Sequence, residues 1–543
     1  MKKIIGTVTT GSLNEGFLMR VSQDVDLEQI KTGKFVSIVG AHHTFFSLVT
    51  DLSLEVAHPD ILLYPPSAQE KLLARVLKQK DIYATALLKP MLMLGADDRP
   101  SPVKTVPPHF SLVHEADARD VARIFGDEKD PSKRYFNIGS PLDMNTPVCL
   151  DLDRLIERSN GIFGKTGTGK TFLTRLVLAG LIKNQKAVNL IFDMHSEYGL
   201  QARKEGKNLN FVKGLKTLFG SKVAIFSLDP ESTRRRGMNP DVELVIDYRS
   251  IAVEDILSLE SELKLHATAL EAAYLVYAKY KEYWLEVLLS LGSSQPDGSV
   301  KDIKQFAQEI GANAESIAAL YRKLKRIERL PFLKPGVSAH RRDSVIDQLM
   351  EYISQGKSVV IEFGNYTSTF VYLLIANIIT RRIHAEYVER TERFLGTQKE
   401  EDRPKQLMIT IEEAHKFLNP QAARQTIFGT IAREMRKYYV SLLVVDQRPS
   451  GIDEEILSQI GTKIVAQLND EKDIAAVLTG MNNAGGLRSI LATLDSKKQA
   501  LLMGHALAMP VVIQTREYDE QFYRAMQDEV SAKNMQELIS EIF

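Results

Sequence analysis

The eight residues Gly164-Lys165-Thr166-Gly167-Thr168-Gly169-Lys170-Thr171 constrain this chain more than any other stretch. Gly164, Gly169, Lys170 and Thr171 stand at the spacing G-x-x-x-x-G-K-[ST] of a phosphate-binding loop. The chemistry sets that spacing. Glycines let the backbone curl until several N–H groups converge on the phosphates. Lys170 is placed for the β- and γ-phosphates and the Thr171 hydroxyl for Mg²⁺. Phe172 then opens a helix to roughly Lys183, whose positive N-terminal dipole adds to the anion site. Ile162-Phe163 leads in like the end of a strand, and Leu173, Leu176, Val177 and Leu181 give the helix an apolar face. Strand, loop and helix in this order predict an α/β nucleotide-binding core, with ATP and Mg²⁺ as cofactors.

Two acidic positions are the expected partners of the loop. Leu407-Met408-Ile409-Thr410-Ile411 is an apolar run ending in Glu412-Glu413. In a parallel sheet ligands bind at the carboxyl ends of the strands. Glu412 is assigned to Mg²⁺, through water, and Glu413 to the attacking water, as its orienter or base. The next apolar run, Ser441 to Val445, leads through Asp446 to Gln447, a polar tip able to read the γ-phosphate. Arg433 and Arg436 fall on an expected helix from Gln425 to Tyr438 and, three apart, share a face. With Arg158, before the loop strand, they are candidates for transition-state fingers or for ordinary surface pairing.

The rest of the chain is organised around this core. Its 543 residues suffice for two to four domains. Lys plus Arg and Asp plus Glu both number 69, so bulk charge gives no attraction to nucleic acid, though a local basic channel stays open. One cysteine, Cys149, excludes an intrachain disulfide and fits a reducing compartment. The opening Met1-Lys2-Lys3-Ile4-Ile5-Gly6 is too short in apolar residues for a signal peptide, and no apolar run reaches membrane-spanning length, so a cytoplasmic location is expected.

Short strands at close spacing over residues 1–95 predict a small β-barrel, with a helix at Ser67 to about Gln79. Residues 96–147 read as a linker with a short helix near Ala116 to Phe125. The first part of the ATPase core covers 148–253, a helical insertion 254–345, the second part 346–518, and a helical tail 519–543. Within the insertion Arg322, Lys323, Lys325, Arg326 and Arg329 are either a solvated face or a nucleic-acid contact.

These segments together resemble a known family. Thr166-Gly167-Thr168-Gly169-Lys170-Thr171, Asp193-Met194-His195-Ser196-Glu197-Tyr198, Glu413-Ala414-His415, Ala432-Arg433-Glu434-Met435-Arg436-Lys437 and Gln447-Arg448-Pro449-Ser450 look like the HerA ATPases of the HerA/FtsK group of motors. The Asp-x-His-x-Glu-Tyr segment is the most particular mark. The resemblance implies a RecA-like core with an N-terminal HAS-barrel-like domain, and a homohexamer with ATP sites at subunit interfaces that acts as a double-stranded DNA translocase or helicase. It also implies a partner, a NurA-like nuclease in DNA-end processing or a sirtuin-like effector in antiviral defence. Lys170, Thr171, Glu413 and Gln447 match its nucleotide-site positions, Asp193 and Glu197 a motif beside that site, and Arg433, Arg436 and Arg158 its interface arginines. Glu412 in place of the usual Asp, and Asp446 in place of Thr or Ser, depart from the pattern. The alternative is a ring that binds ATP to assemble and activate an effector enzyme, with DNA pumping secondary. A secretion or conjugation motor shares the core.

Overall fold

In the barrel, β1 (Ile4–Ser12) and β2 (Gly16–Val21) form an antiparallel hairpin, followed by β3 (Phe35–Val39), β4 (Thr44–Val56), β5 (Ile82–Leu94), the two-residue β6 (Pro100–Ser101) and β7 (Leu112–Glu115). Their order is β2-β1-β7-β3-β4-β5-β6, and β2 pairs back onto β5 to close the sheet. Alternation along these strands turns Ile5, Phe17, Met19, Val36, Ile38, Phe45, Val49, Leu88 and Val113 into one apolar cluster. The barrel thus draws β6 and β7 from beyond residue 95, and β7 stands between β1 and β3. Sequence pattern leaves Leu112–Glu115 in the linker because four residues carry too short an alternation to register.

The computed structural model describes residues 2–63, 66, 76–77, 81–95, 100–142, 144–203, 211–257, 259–292, 302–336, 344–481, 484–495 and 498–527. Most of the helix expected at Ser67 to Gln79 and most of the tail expected at 519–543 lie outside these. The described residues fall into two compact units interleaved in sequence. The first takes 1–180, 446–450 and 460–517, and the second 181–445, 451–459 and 518–543.

Besides the barrel, the first unit holds six strands in the order Asn160–Phe163, Thr462–Val465, Gln499–Gly504, Val511–Thr515, Tyr135–Pro141 and Val148–Asp151. The first two run parallel and every later neighbour is antiparallel. The helix Ala118–Phe125 starts from Asp117, whose carboxylate accepts from the backbone of Arg119 and Asp120 in a capping box.

The second unit is built on six parallel strands in the order Val242–Glu243, Val223–Ser227, Ser358–Glu362, Val188–Asp193, Leu407–Glu412 and Val440–Asp446. Five of these runs have no exposed residue, which is why they read as continuous apolar stretches and not as alternation. The helical insertion is present as Val253–Leu257, Glu260–Leu263, Ala267–Tyr280, Trp284–Leu289, Ile303–Ile310 and Ala314–Leu324. Trp284 is fully buried and its indole N–H donates to the Ile251 carbonyl at 2.8 Å. Asp255, 2 % exposed, receives both a 3.0 Å and a 2.8 Å bond from Arg381 of the long helix Thr369–Thr397. In the basic run of the insertion, Lys325 pairs with Glu328 and Arg326 lies 4.3 Å from the centre of the Phe370 ring. Among the described residues no helix is long and apolar enough to cross a membrane.

Candidate functional site

In the first unit, the buried strand Asn160–Phe163 delivers the chain into the phosphate loop. Gly164 N–H donates to the Asp446 carbonyl at 3.3 Å and Lys165 N–H to the Gln467 carbonyl at 3.0 Å, which fix the loop's entry. A Cβ on Gly164 would lie 2.8 Å from Thr168 Oγ1 and 2.9 Å from Ala466 Cβ, and Gly169 holds φ at +90°, so both positions require glycine. Inside the loop, the Lys165 carbonyl accepts from Thr168 Oγ1 at 2.7 Å and from Lys170 Nζ at 3.0 Å. The helix Lys170–Lys183 follows, starting two residues before the expected Phe172. Thr166 and Gly167 are exposed and Lys170, Thr171 and Phe172 half-buried, so the groups assigned to phosphate and metal are accessible.

Gln447 also belongs here. Thr166 Oγ1 donates to Gln447 Oε1 at 2.6 Å, so the strand-tip residue is tied to the phosphate loop directly. The neighbouring Asp446 is buried, and its carboxylate accepts the Arg448 N–H at 2.6 Å, turning the chain after the strand. An aspartate where a hydroxyl residue is usual therefore serves the turn. Arg158 is exposed, between the short helix Leu152–Ile156 and the loop strand.

In the second unit, the acidic residues sit at the carboxyl ends of adjacent strands: Asp193, Glu362 and Glu412. Asp193 is completely buried and accepts the N–H groups of Glu197 and Tyr198 at 2.8 Å each and of Gly199 at 3.3 Å. It thereby folds the Asp-x-His-x-Glu-Tyr segment into a turn, a use of the carboxylate that leaves it no accessible surface. Glu197 stays half-exposed. Tyr198 is carried inward, and its hydroxyl donates to Glu412 Oε1 at 2.7 Å. A second tyrosine, Tyr372, clasps the same residue from its backbone side: its hydroxyl accepts the Glu412 N–H and donates to the Glu412 carbonyl, both at 3.2 Å.

Burial and the nearby Asp193 charge push the Glu412 carboxyl up to about 8, with the Tyr198 bond partly opposing them. Burial raises Asp193 too, against the pull of three backbone N–H groups. Glu362 is raised by burial and by Asp193, while Arg236, 2.6 Å away, opposes the rise. Glu413, the next residue, is different. It is half-exposed, its backbone φ is +49°, and His415 Nε2 lies 3.8 Å from its Oε2.

The expected helix from Gln425 to Tyr438 is not continuous. The chain forms Ala422–Gln425, breaks at an extended Thr426, continues as Ile427–Glu434 and tightens into a 3-10 turn at Met435–Tyr438. Arg433 and Arg436 accordingly sit on different kinds of helix. Arg433 is held by the Ala423 carbonyl at 3.1 Å and lies 4.0 Å from Glu455, and Arg436 is exposed.

Among the described residues no group of three or more His, Cys, Asp or Glu side chains could hold a metal ion unaided. The residues present do fit Mg²⁺ as one ligand among several. Glu412 Oε2 is buried with no hydrogen-bond partner, an acceptor oxygen left for a water-bound cation or a proton. Tyr198, Tyr372 and Glu362 are not marked as site residues by sequence. Tyr198 has a signal, since it closes the Asp-x-His-x-Glu-Tyr segment; Tyr372 sits in an apolar helix with none.

A glycine-rich loop closing a strand, a lysine and threonine at its end and buried acids at parallel strand ends define a P-loop nucleotide-binding protein. A family profile described as the central domain of the helicase HerA (DUF87) matches residues 136–383. The chain is 24% identical over 406 residues to the DNA double-strand break repair helicase HerA of Pyrococcus furiosus, covering 69% of this chain and 68% of that one. It is 24% identical over 441 residues to the protein of the same description in Sulfurisphaera tokodaii, covering 81% and 79%. Among solved structures it is similar to VirB4 of Thermoanaerobacter pseudethanolicus, with 17% identity, a TM-score of 0.46 and coverage of 70% and 96%.

Proposed function

We propose that this chain is an ATP-driven motor on double-stranded DNA, working as a homohexamer beside a partner nuclease or effector enzyme. The observation that carries the reading is the phosphate loop, with Lys170 and Thr171 at its exit and Gln447 bonded to Thr166. The DNA part rests on its relatives, which are described as DNA repair helicases.

In the reaction, loop N–H groups and Lys170 bind the β- and γ-phosphates. Thr171 and Glu412 would hold Mg²⁺, which supplies charge neutralisation on the phosphates. Glu413 orients a water and takes its proton as the water oxygen bonds to the γ-phosphorus and the bond to the ADP oxygen breaks. Tyr198 holds the Glu412 carboxylate and Tyr372 its backbone. Gln447, through Thr166, reports the loss of the γ-phosphate to the loop. Arg433, Arg436 and Arg158 are assigned to the interface with a neighbouring subunit, and Asp193 to shaping the turn that bears Glu197.

The test is ATP turnover by the purified protein with and without linear double-stranded DNA, at low and high salt. Stimulation by DNA that fades as salt rises is expected, because a motor gripping phosphates releases counterions. Turnover indifferent to DNA at both salts rejects the DNA-motor reading.

A further inference from the structure

In the second unit, the acids stand at one end of the parallel strands, and a cavity of about 570 Å³ lies at the other. It opens where the strands begin: Val188 and Ser358 line it, and Val188 N–H donates to the Gln406 carbonyl at 2.8 Å. The strand Val188–Asp193 separates the cavity from the acids by about 17 Å, at roughly 3.3 Å per step.

Five cations line the cavity, Lys186, Lys222, Lys357, Arg403 and Lys405, against one carboxylate, Glu400. Glu400 is committed to Arg403 at 2.7 Å, and Lys357 lies 4.8 Å from the centre of the Tyr352 ring. The ordinary reason for lysines here is that helices end here. Lys170–Lys183, Leu215–Phe219, Val345–Ser354 and Thr369–Thr397 all terminate close by in sequence to lining residues. Each C-terminus carries about half a negative charge, so four offset about 2 charges of a formal excess of four. About two positive charges are left unexplained by the helices. They face a concave space whose volume falls in the small-ligand range of about 300–1,000 Å³.

We propose that this cavity binds an anion carrying adjacent phosphates, at a site that uses none of residues 164–171. A free oligophosphate and the backbone of a nucleic acid share this chemistry; a concave space of small-ligand volume favours the free anion.

The test uses inorganic tripolyphosphate, titrated calorimetrically into full-length Lys170→Ala protein, in which the phosphate loop is disabled. One binding event is expected, weakening with salt and losing at least about tenfold in affinity in the added Lys222→Ala and Lys405→Ala background, since each lysine gives a charge-assisted bond. A short single-stranded oligonucleotide, followed by anisotropy on the same proteins, separates the two sources. Loss confined to tripolyphosphate identifies a free anion, and loss confined to the oligonucleotide identifies backbone phosphates. If neither probe loses affinity on removal of the two lysines, or neither binds, the proposal is overturned. Should Lys170→Ala fail to fold, the same lysine pair is removed from the native protein. Two classes of tripolyphosphate site are then expected to become one, and an unchanged number overturns the proposal.

Discussion

Glu413 keeps its backbone at φ +49°, in a region that costs a side-chain-bearing residue of order 1–3 kcal/mol and persists only where the surroundings enforce it. Glu412 before it is locked by two tyrosines. The contrast fits the proposed division of labour: Glu412 is fixed in place and Glu413 is half-exposed. Replacing Glu413 with Gln should leave ATP binding intact and lower turnover by about 10²–10⁴-fold, the usual worth of a general base; equilibrium nucleotide binding beside steady-state hydrolysis checks this. Glu412 makes a pH prediction. Its folded-state value of about 8 lies above the usual 4.5, so protonation favours the folded form. That stability is fully present below about 4.5 and is lost as pH climbs to about 8. A glutamine amide resembles the protonated acid, so the Glu412→Gln protein should melt with wild type at acid pH and progressively above it from pH 5 to pH 8. Thermal melts in chelator without nucleotide measure the gap, which each pKa unit widens by about 1.4 kcal/mol.

Elements differ in how openly the sequence displays them. The strand, loop and helix around Lys170 were legible because a phosphate site demands fixed residue types at fixed spacing. The fully buried strands were legible because their apolar runs are unbroken. The helix holding Arg433 and Arg436 was misjudged for a local reason: Thr426 adopts an extended backbone and Glu434 leaves the α region, and neither residue type announces this. Asp193 was legible as a motif residue and illegible as a buried one, since only the folded turn shows its oxygens consumed by backbone N–H groups. At this scale Gly164→Ala should collapse nucleotide affinity, because the added Cβ strikes Thr168 in the loop and the buried Ala466 beside it; nucleotide titration tests it. The Asp255–Arg381 pair ties the insertion to the long helix. Asp255→Ala should cost about 1.5–3 kcal/mol, with Arg381 keeping its 2.8 Å bond to the Ser250 carbonyl. Urea unfolding reports the cost, and hydrogen exchange should show it concentrated in residues 253–289.

For the whole molecule, the proposed shared sites make a prediction about mixtures. Subunits carrying Arg436→Ala and subunits carrying Glu413→Gln should each be inactive alone and regain part of the activity when assembled together, since a mixed interface brings an intact arginine to an intact glutamate. ATPase rates across mixing ratios test this, and a flat response at zero would remove Arg436 from the role. Time enters through the chain's interleaving. Asn160 pairs with Thr462, so the strand that feeds the phosphate loop finds its parallel neighbour only after roughly 300 further residues have been made. At about 5–20 residues per second, the ribosome would keep that strand waiting about 15–60 s. Through that interval the barrel already has all seven of its strands, while an apolar edge at Gly161-Ile162-Phe163 lies open. The nascent chain, more than the finished protein, is therefore where a chaperone would have most to shield.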